Sequence, residues 1–336
     1  MSHPHIGPMD DGLRSRPQQP AIRYVCGMRT EATALLALGQ WLRQEAYTFV
    51  TVTPETHQRV NERAARSRAR TATNLRDVFG WNRTFEPNLL PTCAIEWLRA
   101  ADALEETDAG LRSRVRFSTL GDLLCVHSGF PTLESDAVFF GPDTYRFCQL
   151  LTRWAPPARR CVDIGCGSGA GALSIAGRVQ ELVLADLNPR ALLHAEVNAA
   201  LAQTVAVTVQ SDILSGVAGE VDLIIANPPY LCDPKARLYR DGGAAHGTEL
   251  SVRIVREGLE RLSPSGTLIV YTGAPIVEGR DVFFHAVQPY LDACSGRSTY
   301  SELDPDVFGE ELAMPGYADV ERIAVIGLRV CRSDST

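Results

Sequence analysis

The sequence predicts an α/β protein, a doubly wound and mostly parallel sheet of seven strands behind an N-terminal helical, winged-helix-like cap. Three observations predict it. After residue 140 short apolar runs alternate with amphipathic stretches, the pattern of a parallel sheet covered on both faces. Before residue 140 the chain reads as short helices followed by a hairpin. Within the sheet region, glycines crowd the junction of one strand with the next helix. At roughly 100–200 residues per domain, the 336 residues divide into a tail at 1–22, a cap at 23–137 and the sheet domain at 138–336.

The first twenty residues are rich in proline and polar side chains and lack the apolar middle of a secretory signal, which predicts a flexible tail on a cytoplasmic protein. Thr53-Pro54-Glu55 reads as a helix start, with a capping hydroxyl, a proline at the first position and an acid in the first turn. Pro91 begins a second helix, in which Ala94, Ile95, Leu98, Ala101 and Leu104 recur at helical spacing. Arg114–Leu120 and Leu123–His127 then read as two strands around the turn Gly121-Asp122.

In the second part strands are expected at Arg160–Ile164, Leu182–Ala185, Val205–Val209, Val221–Ala226 and Thr267–Tyr271. Helices fall at Pro189–Leu201 and Glu249–Leu262. Arg297–Leu303 and Arg322–Val330 would close the sheet as an antiparallel pair.

Composition narrows the function classes. A hydrophobic fraction of 45% with 22% charged residues is that of a globular chain, and no apolar run approaches the length of a membrane span. Nine cysteines without a CxxC pair suit a reducing compartment, so neither disulfides nor a metal site is expected. A formal charge of −7 argues against a nucleic-acid partner. The exception is a basic stripe of Arg63, Arg66 and Arg70, with Arg68 beside it, which reads first as a solvated helix face.

The chemistry is concentrated in three places. Asp163-Ile-Gly-Cys-Gly-Ser-Gly169 leaves a strand and enters a helix, where Gly165, Gly167 and Gly169 would let a ligand rest against the bare backbone. Asp186 ends the next strand, 21 residues after Gly165, where an acid accepts the ribose hydroxyls of a nucleoside. Asp212 ends the strand after that and is placed to accept an adenine amino group. Glycines and acid together fit a nicotinamide or flavin dinucleotide as well as a sulfonium nucleoside.

The third place is Asn227-Pro228-Pro229-Tyr230, after the apolar strand Val221–Ala226 and so at the carboxyl edge of the sheet. Two prolines fix two φ angles and remove two donors, leaving rigid carbonyls free to accept. The Asn227 side chain and the Pro228 carbonyl would form a fork for both hydrogens of an amino or amide nitrogen, turning its lone pair toward an electrophile. Tyr230 would stack on the acceptor or cover the site.

In that order and spacing these motifs resemble the class I methyltransferases that use S-adenosyl-L-methionine, in the branch with an NPPY motif that modifies nitrogen. The "small" methyltransferase domains and the protein-glutamine N-methyltransferases of release factors are similar over about residues 138–330. The resemblance implies a Rossmann-like methyltransferase sheet, with Thr144, Asp163, Gly165, Gly167, Gly169, Asp186, Asp212 and Asn227 holding S-adenosyl-L-methionine. Asn227, Pro228 and Tyr230 would serve catalysis, on a small-molecule or protein acceptor chosen by the cap. Where release-factor enzymes carry Pro-Arg-Pro-Asp-Thr-Glu, this chain has Phe140-Gly141-Pro142-Asp143-Thr144-Tyr145: the threonine that would meet the methionine carboxylate is kept, and the arginine and glutamate are absent. Asp241–Glu249 and Glu302–Glu311 resemble segments of bacterial proteins described only as methyltransferases, with Glu302, Asp304 and His246 divided between site and structural roles.

Two other functions fit the same motifs. In a cyclase that forms azetidine-2-carboxylate and methylthioadenosine, the fork would hold the cofactor's own amine, and Phe79, Trp81, Phe85, Phe139 and Phe140 would enclose the methionine tail. In an RNA-modifying enzyme, or a cofactor-binding regulator without turnover, Arg63, Arg66 and Arg70 would touch nucleic acid.

Overall fold

The computed structural model describes residues 28–66 and 71–333. The expected tail and two of the stripe arginines, Arg68 and Arg70, lie outside the described residues. The first part opens with α1 (Thr30–Gln44), whose Ala34, Leu35, Leu38 and Leu42 form one buried stripe. In α2 (Pro54–Arg66), Thr53 Oγ1 accepts from the Thr56 N–H at 3.2 Å, as the capping pattern predicts, and His57 is the only buried residue. Next come α3 (Leu75–Phe79), capped by Asn74, and α4 (Thr92–Ala100).

Two hairpins follow, β1 (Leu104–Thr107) with β2 (Gly110–Ser113), and β3 (Val115–Leu120) with β4 (Leu123–Ser128). The second is the expected pair. The first is not, because Glu105-Glu106-Thr107 carries no apolar alternation. The helical spacing running on to Leu104 also ends early: α4 stops at Ala100, Asp102 turns into the left-handed region at φ 50°, and Leu104 opens β1.

The second part runs α5 (Pro142–Trp154), β5 (Ala158–Ile164), α6 (Ala170–Ser174), β6 (Val179–Asp186), α7 (Pro189–Leu201), β7 (Val207–Gln210) and β8 (Val221–Ala226). It continues through a short irregular turn α8 (Ala244–Gly247), α9 (Glu249–Arg261), β9 (Leu262–Val277), β10 (Arg280–Asp281), α10 (Val282–Ala293), β11 (Gly296–Asp304) and β12 (Arg322–Arg332). The strand order is β11-β12-β9-β8-β5-β6-β7, with the two-residue β10 beside β9. The strands from β9 to β7 are parallel, and β12 and β11 close the edge antiparallel, as expected. The fold is therefore the Rossmann-like doubly wound one. β9 is far longer than the expected Thr267–Tyr271 because its outer part pairs with β12, from Thr267↔Cys331 to Ile276↔Arg322.

The cap region rests on α7, whose Val197 and Leu201 belong to the same apolar core as Leu38, Phe79, Phe117 and Val126. Asn198, 1% exposed between them, accepts from the Val126 N–H at 2.7 Å and donates to the carbonyls of Val126 (3.0 Å) and Ser168 (2.9 Å). One side chain thus fastens β4 to the glycine turn. No helix among the described residues is long and apolar enough to cross a membrane.

Candidate active site

A cavity of about 520 Å³ opens at the carboxyl ends of β5, β6 and β8. Its floor is the glycine turn. Gly165 and Gly167 stand at φ +64° and +54°, and a Cβ added to either would meet no protein atom within 4 Å. Side chains there would project into open space and occupy the cradle, so the bare backbone is what a ligand meets. Gly169 serves packing instead, since its Cβ would lie 3.4 Å from that of Ala195 on α7.

The acids stand where the strand ends put them. Asp186 accepts from the Gly167 N–H at 2.9 Å and the Asn188 N–H at 2.8 Å, which ties the end of β6 to the turn. Burial holds its carboxyl above the usual range, with those N–H groups pulling it back. Asp163, 2% exposed, accepts from the Ala172 N–H at 3.1 Å; burial pushes it up to about 7. Thr144 lines the cavity from the first turn of α5, where its hydroxyl accepts from the Gly141 N–H at 3.2 Å. Asp212 lines it too, but its half-exposed carboxylate is paired with Arg253 at 3.2 Å.

Asn227, Pro228 and Pro229 form the opposite wall. Every expected cofactor residue except Gly169 therefore lines one cavity. Among the described residues neither the Asn227 side chain nor the Pro228 carbonyl has a hydrogen-bond partner in the protein, so both are free to accept from a ligand.

Tyr230 departs from expectation. It does not line the cavity: its ring, 6% exposed, packs on Gly273, where a Cβ would lie 2.2 Å away, and edge-on to Phe308. Its hydroxyl donates to Asp143, which also accepts from the Tyr271 hydroxyl at 3.1 Å and pairs with Arg146 at 3.2 Å. Burial, and then the Asp143 charge, push the Tyr230 phenol far up. The motif tyrosine is a buried brace behind the Asn-Pro wall, anchoring it to α5. Sequence reasoning missed Asp143 because an acid in the first turn of a helix reads as a cap; its two tyrosine partners are 87 and 128 residues away.

The acidic segment is structural where the geometry resolves it. Asp304 pairs with Arg146 at 3.1 Å and Glu302 with Arg322 at 3.0 Å. Glu311 pairs with Arg240. His246 bonds Asp319 at 3.0 Å, outside the cavity lining. The expected aromatic enclosure is absent: Phe79 and Phe85 are wholly buried in the cap core, Trp81 packs on Phe49 and His57, and Phe140 stacks on His127. Of the five aromatics only Phe139 reaches the cavity, where it lies parallel to Tyr239. Arg63 and Arg66 are exposed on α2 and line no part of it.

A nucleoside-sized cavity on a glycine turn, with an acid at the next strand end and an Asn-Pro wall opposite, thus stands at the carboxyl edge of this sheet. Residues 147–274 match the methyltransferase small domain. That match favours S-adenosyl-L-methionine over a dinucleotide. A release factor glutamine methyltransferase of Deinococcus radiodurans is 35% identical over 123 residues, 36% of this chain and 42% of that protein. A tRNA1(Val) (adenine(37)-N6)-methyltransferase of Escherichia coli is 40% identical over 92 residues, 24% of this chain and 37% of the relative. The matches thus span less than half of either relative. Among solved structures, a tRNA m1G37 methyltransferase of M. jannaschii superposes with a TM-score of 0.46 at 11% identity, over 66% of this chain and 58% of that one.

Proposed function

We propose that the protein transfers the methyl group of S-adenosyl-L-methionine to a nitrogen held by Asn227 and the Pro228 carbonyl. One observation carries the reading: two rigid, unpartnered acceptors face the same cavity as the glycine turn and Asp186. The cavity fits the cofactor on this structure's own terms, since side chains at Gly165 and Gly167 would fill its cradle. Gly165 and Gly167 would bear the cofactor's nucleoside, Asp186 its ribose and Asp212 its adenine, with Thr144 and Asp163 toward the methionine end; Gly169 seats the turn on α7. When bound, S-adenosyl-L-methionine supplies a methyl group already activated by a sulfonium.

The chain's own work is then positioning. Asn227 and Pro228 accept both hydrogens of an amino or amide nitrogen and so aim its lone pair, a contribution of orientation rather than of acid or base strength. Prolines at 228 and 229 keep the wall stiff, and Asp143 holds it from behind through Tyr230. The division into a cap at 23–137 and a catalytic unit at 138–336 belongs to this proposal. The relatives are named for a glutamine and for adenine N6, so both protein and nucleic acid are candidate acceptors despite the net charge of −7. The cyclase reading has no comparable support, with Phe79, Phe85 and Phe140 buried elsewhere and Trp81 packed on Phe49 and His57.

The test is transfer of isotopically labelled methyl from S-adenosyl-L-methionine to fractionated cellular protein, RNA and small molecules, read by mass spectrometry. A methylated nitrogen in one fraction, lost in Asn227→Ala, supports the proposal. Methylthioadenosine without any acceptor, or transfer that persists in Asn227→Ala, refutes it.

A further inference from the structure

The cap holds a second group of buried polar side chains, with no part in the cavity. Arg116 on β3 is 4% exposed, and its one hydrogen bond among the described residues runs from Nε to the Ser128 carbonyl at 3.4 Å. Among the described residues no carboxylate pairs with it, and Tyr47 and Tyr145 are the groups that favour its charge. Opposite it in the hairpin register, His127 spends its nitrogens on Ser118 Oγ (2.8 Å) and the Ser128 carbonyl (3.1 Å). Thr51 bonds Ser118, the Tyr47 hydroxyl donates to the Phe117 carbonyl at 2.9 Å, and that of Tyr145 to the Thr119 carbonyl at 3.1 Å.

His57 is the other exception. It is 1% exposed on α2 and packs on Phe130, with ring centroids 4.2 Å apart, yet among the described residues neither ring nitrogen has a well-formed hydrogen bond, the Trp81 backbone being its polar neighbour. Phe130 lies two residues beyond Ser128, so His57 and Arg116 close on the same end of the hairpin. Burial, and then the Arg116 charge, hold His57 neutral, down to about 4. One cation therefore sits in the cap core with a single hydrogen bond among the described residues, and the neutral His57 imidazole lies close enough to feel its charge. A buried charge without a counter-ion is costly, and a buried polar atom without a partner adds to that. A single negative charge with oxygen acceptors would answer the guanidinium and the imidazole N–H.

We propose that Arg116 and His57 form an anion site in the cap, taking a small oxyanion of the carboxylate or phosphate class between guanidinium and imidazole. The site is independent of the methyltransferase cavity and of the function proposed for it. The full chain is titrated at constant ionic strength with phosphate, acetate and chloride in separate arms while the thermal midpoint is followed. A saturable rise with phosphate or acetate, beyond that with chloride, is expected, and the arm that responds identifies the oxyanion. Arg116→Lys keeps the charge without the planar fork and should weaken the apparent affinity about tenfold or more. Arg116→Met should abolish the response, and His57→Phe, which keeps the ring packing, should weaken it. All three variants should bind S-adenosylhomocysteine as the parent does. No saturable rise, an equal rise with chloride, or an undiminished response in Arg116→Lys and His57→Phe would overturn the proposal, even where Arg116→Met fails to fold.

Discussion

In the sheet half, the polar groups that matter stand at strand ends and open onto a cavity: Asp186 is half-tied to the turn it supports, and the Asn227 side chain has no hydrogen-bond partner among the described residues. In the cap, groups of similar polarity lie inside an apolar core, and Arg116 and His127 are sealed between β3, β4 and the segment that follows. Parallel strands end together, so whatever side chains follow them share one crevice. Hairpins return at once and bury what they carry. Unpaired polarity thus stands at the rim of an open crevice in one region and inside an apolar core in the other.

The largest effect expected from breaking this contrast is on the open side. Asn227→Ala should reduce methyl transfer by on the order of 100-fold, by analogy with loss of one preorganised group at a reacting centre. Calorimetry should still find S-adenosylhomocysteine bound at near the parent affinity. Gly167→Val removes the bare surface itself and forces a β-branched residue to φ +54°; calorimetric binding of the nucleoside should disappear.

Asn198 joins the two regions, and Asn198→Ala tests whether they are one cooperative unit. Losing its three buried bonds leaves the Val126 N–H unpaired and should lower unfolding free energy by about 1–3 kcal/mol in denaturant titrations. Two separated unfolding transitions in that variant would show that this one side chain couples the halves.

Smaller effects come from pH, with opposite signs for a buried carboxyl and for buried histidines. Asp163 is held near 7 in the folded chain against 3.8 when free, so it stabilises least when ionised: its contribution falls as pH rises from about 4 through 7. Asp163→Asn should therefore gain stability over the parent above pH 7, measured as the difference in thermal midpoint at pH 8. In the cap His57 is held down to about 4 against 6.5 when free, and the buried His194 of α7 to about 3. The unfolded chain takes up protons first, so stability falls as pH drops from 6.5 toward 4. His57→Phe should flatten that slope, and an unchanged slope would place the acid sensitivity elsewhere.

Legibility followed the same division. The glycine turn, Asp163, Asp186 and Asn227-Pro228 were readable because each needs a residue type at a strand end, and strand ends are marked by apolar runs. Tyr230 was placed in the right motif with the wrong duty, because only its packing on Gly273 and its bond to Asp143 turn it away from the cavity. Asn198 carried one faint signal, a polar residue among Ala195, Val197 and Ala199 on a buried face. The β1–β2 hairpin carried none.

Sequence alone determined the alternation of strand and helix, the strand ends and the residues that follow them, since all of these are local consequences of hydrophobic period and of glycine and proline geometry. Tertiary structure alone decided which polar side chains are satisfied and which are left free. Arg116, Asp143 and Asn198 each depend on partners across the fold, and a hydrogen bond is a property of distance in space that no spacing along the chain encodes.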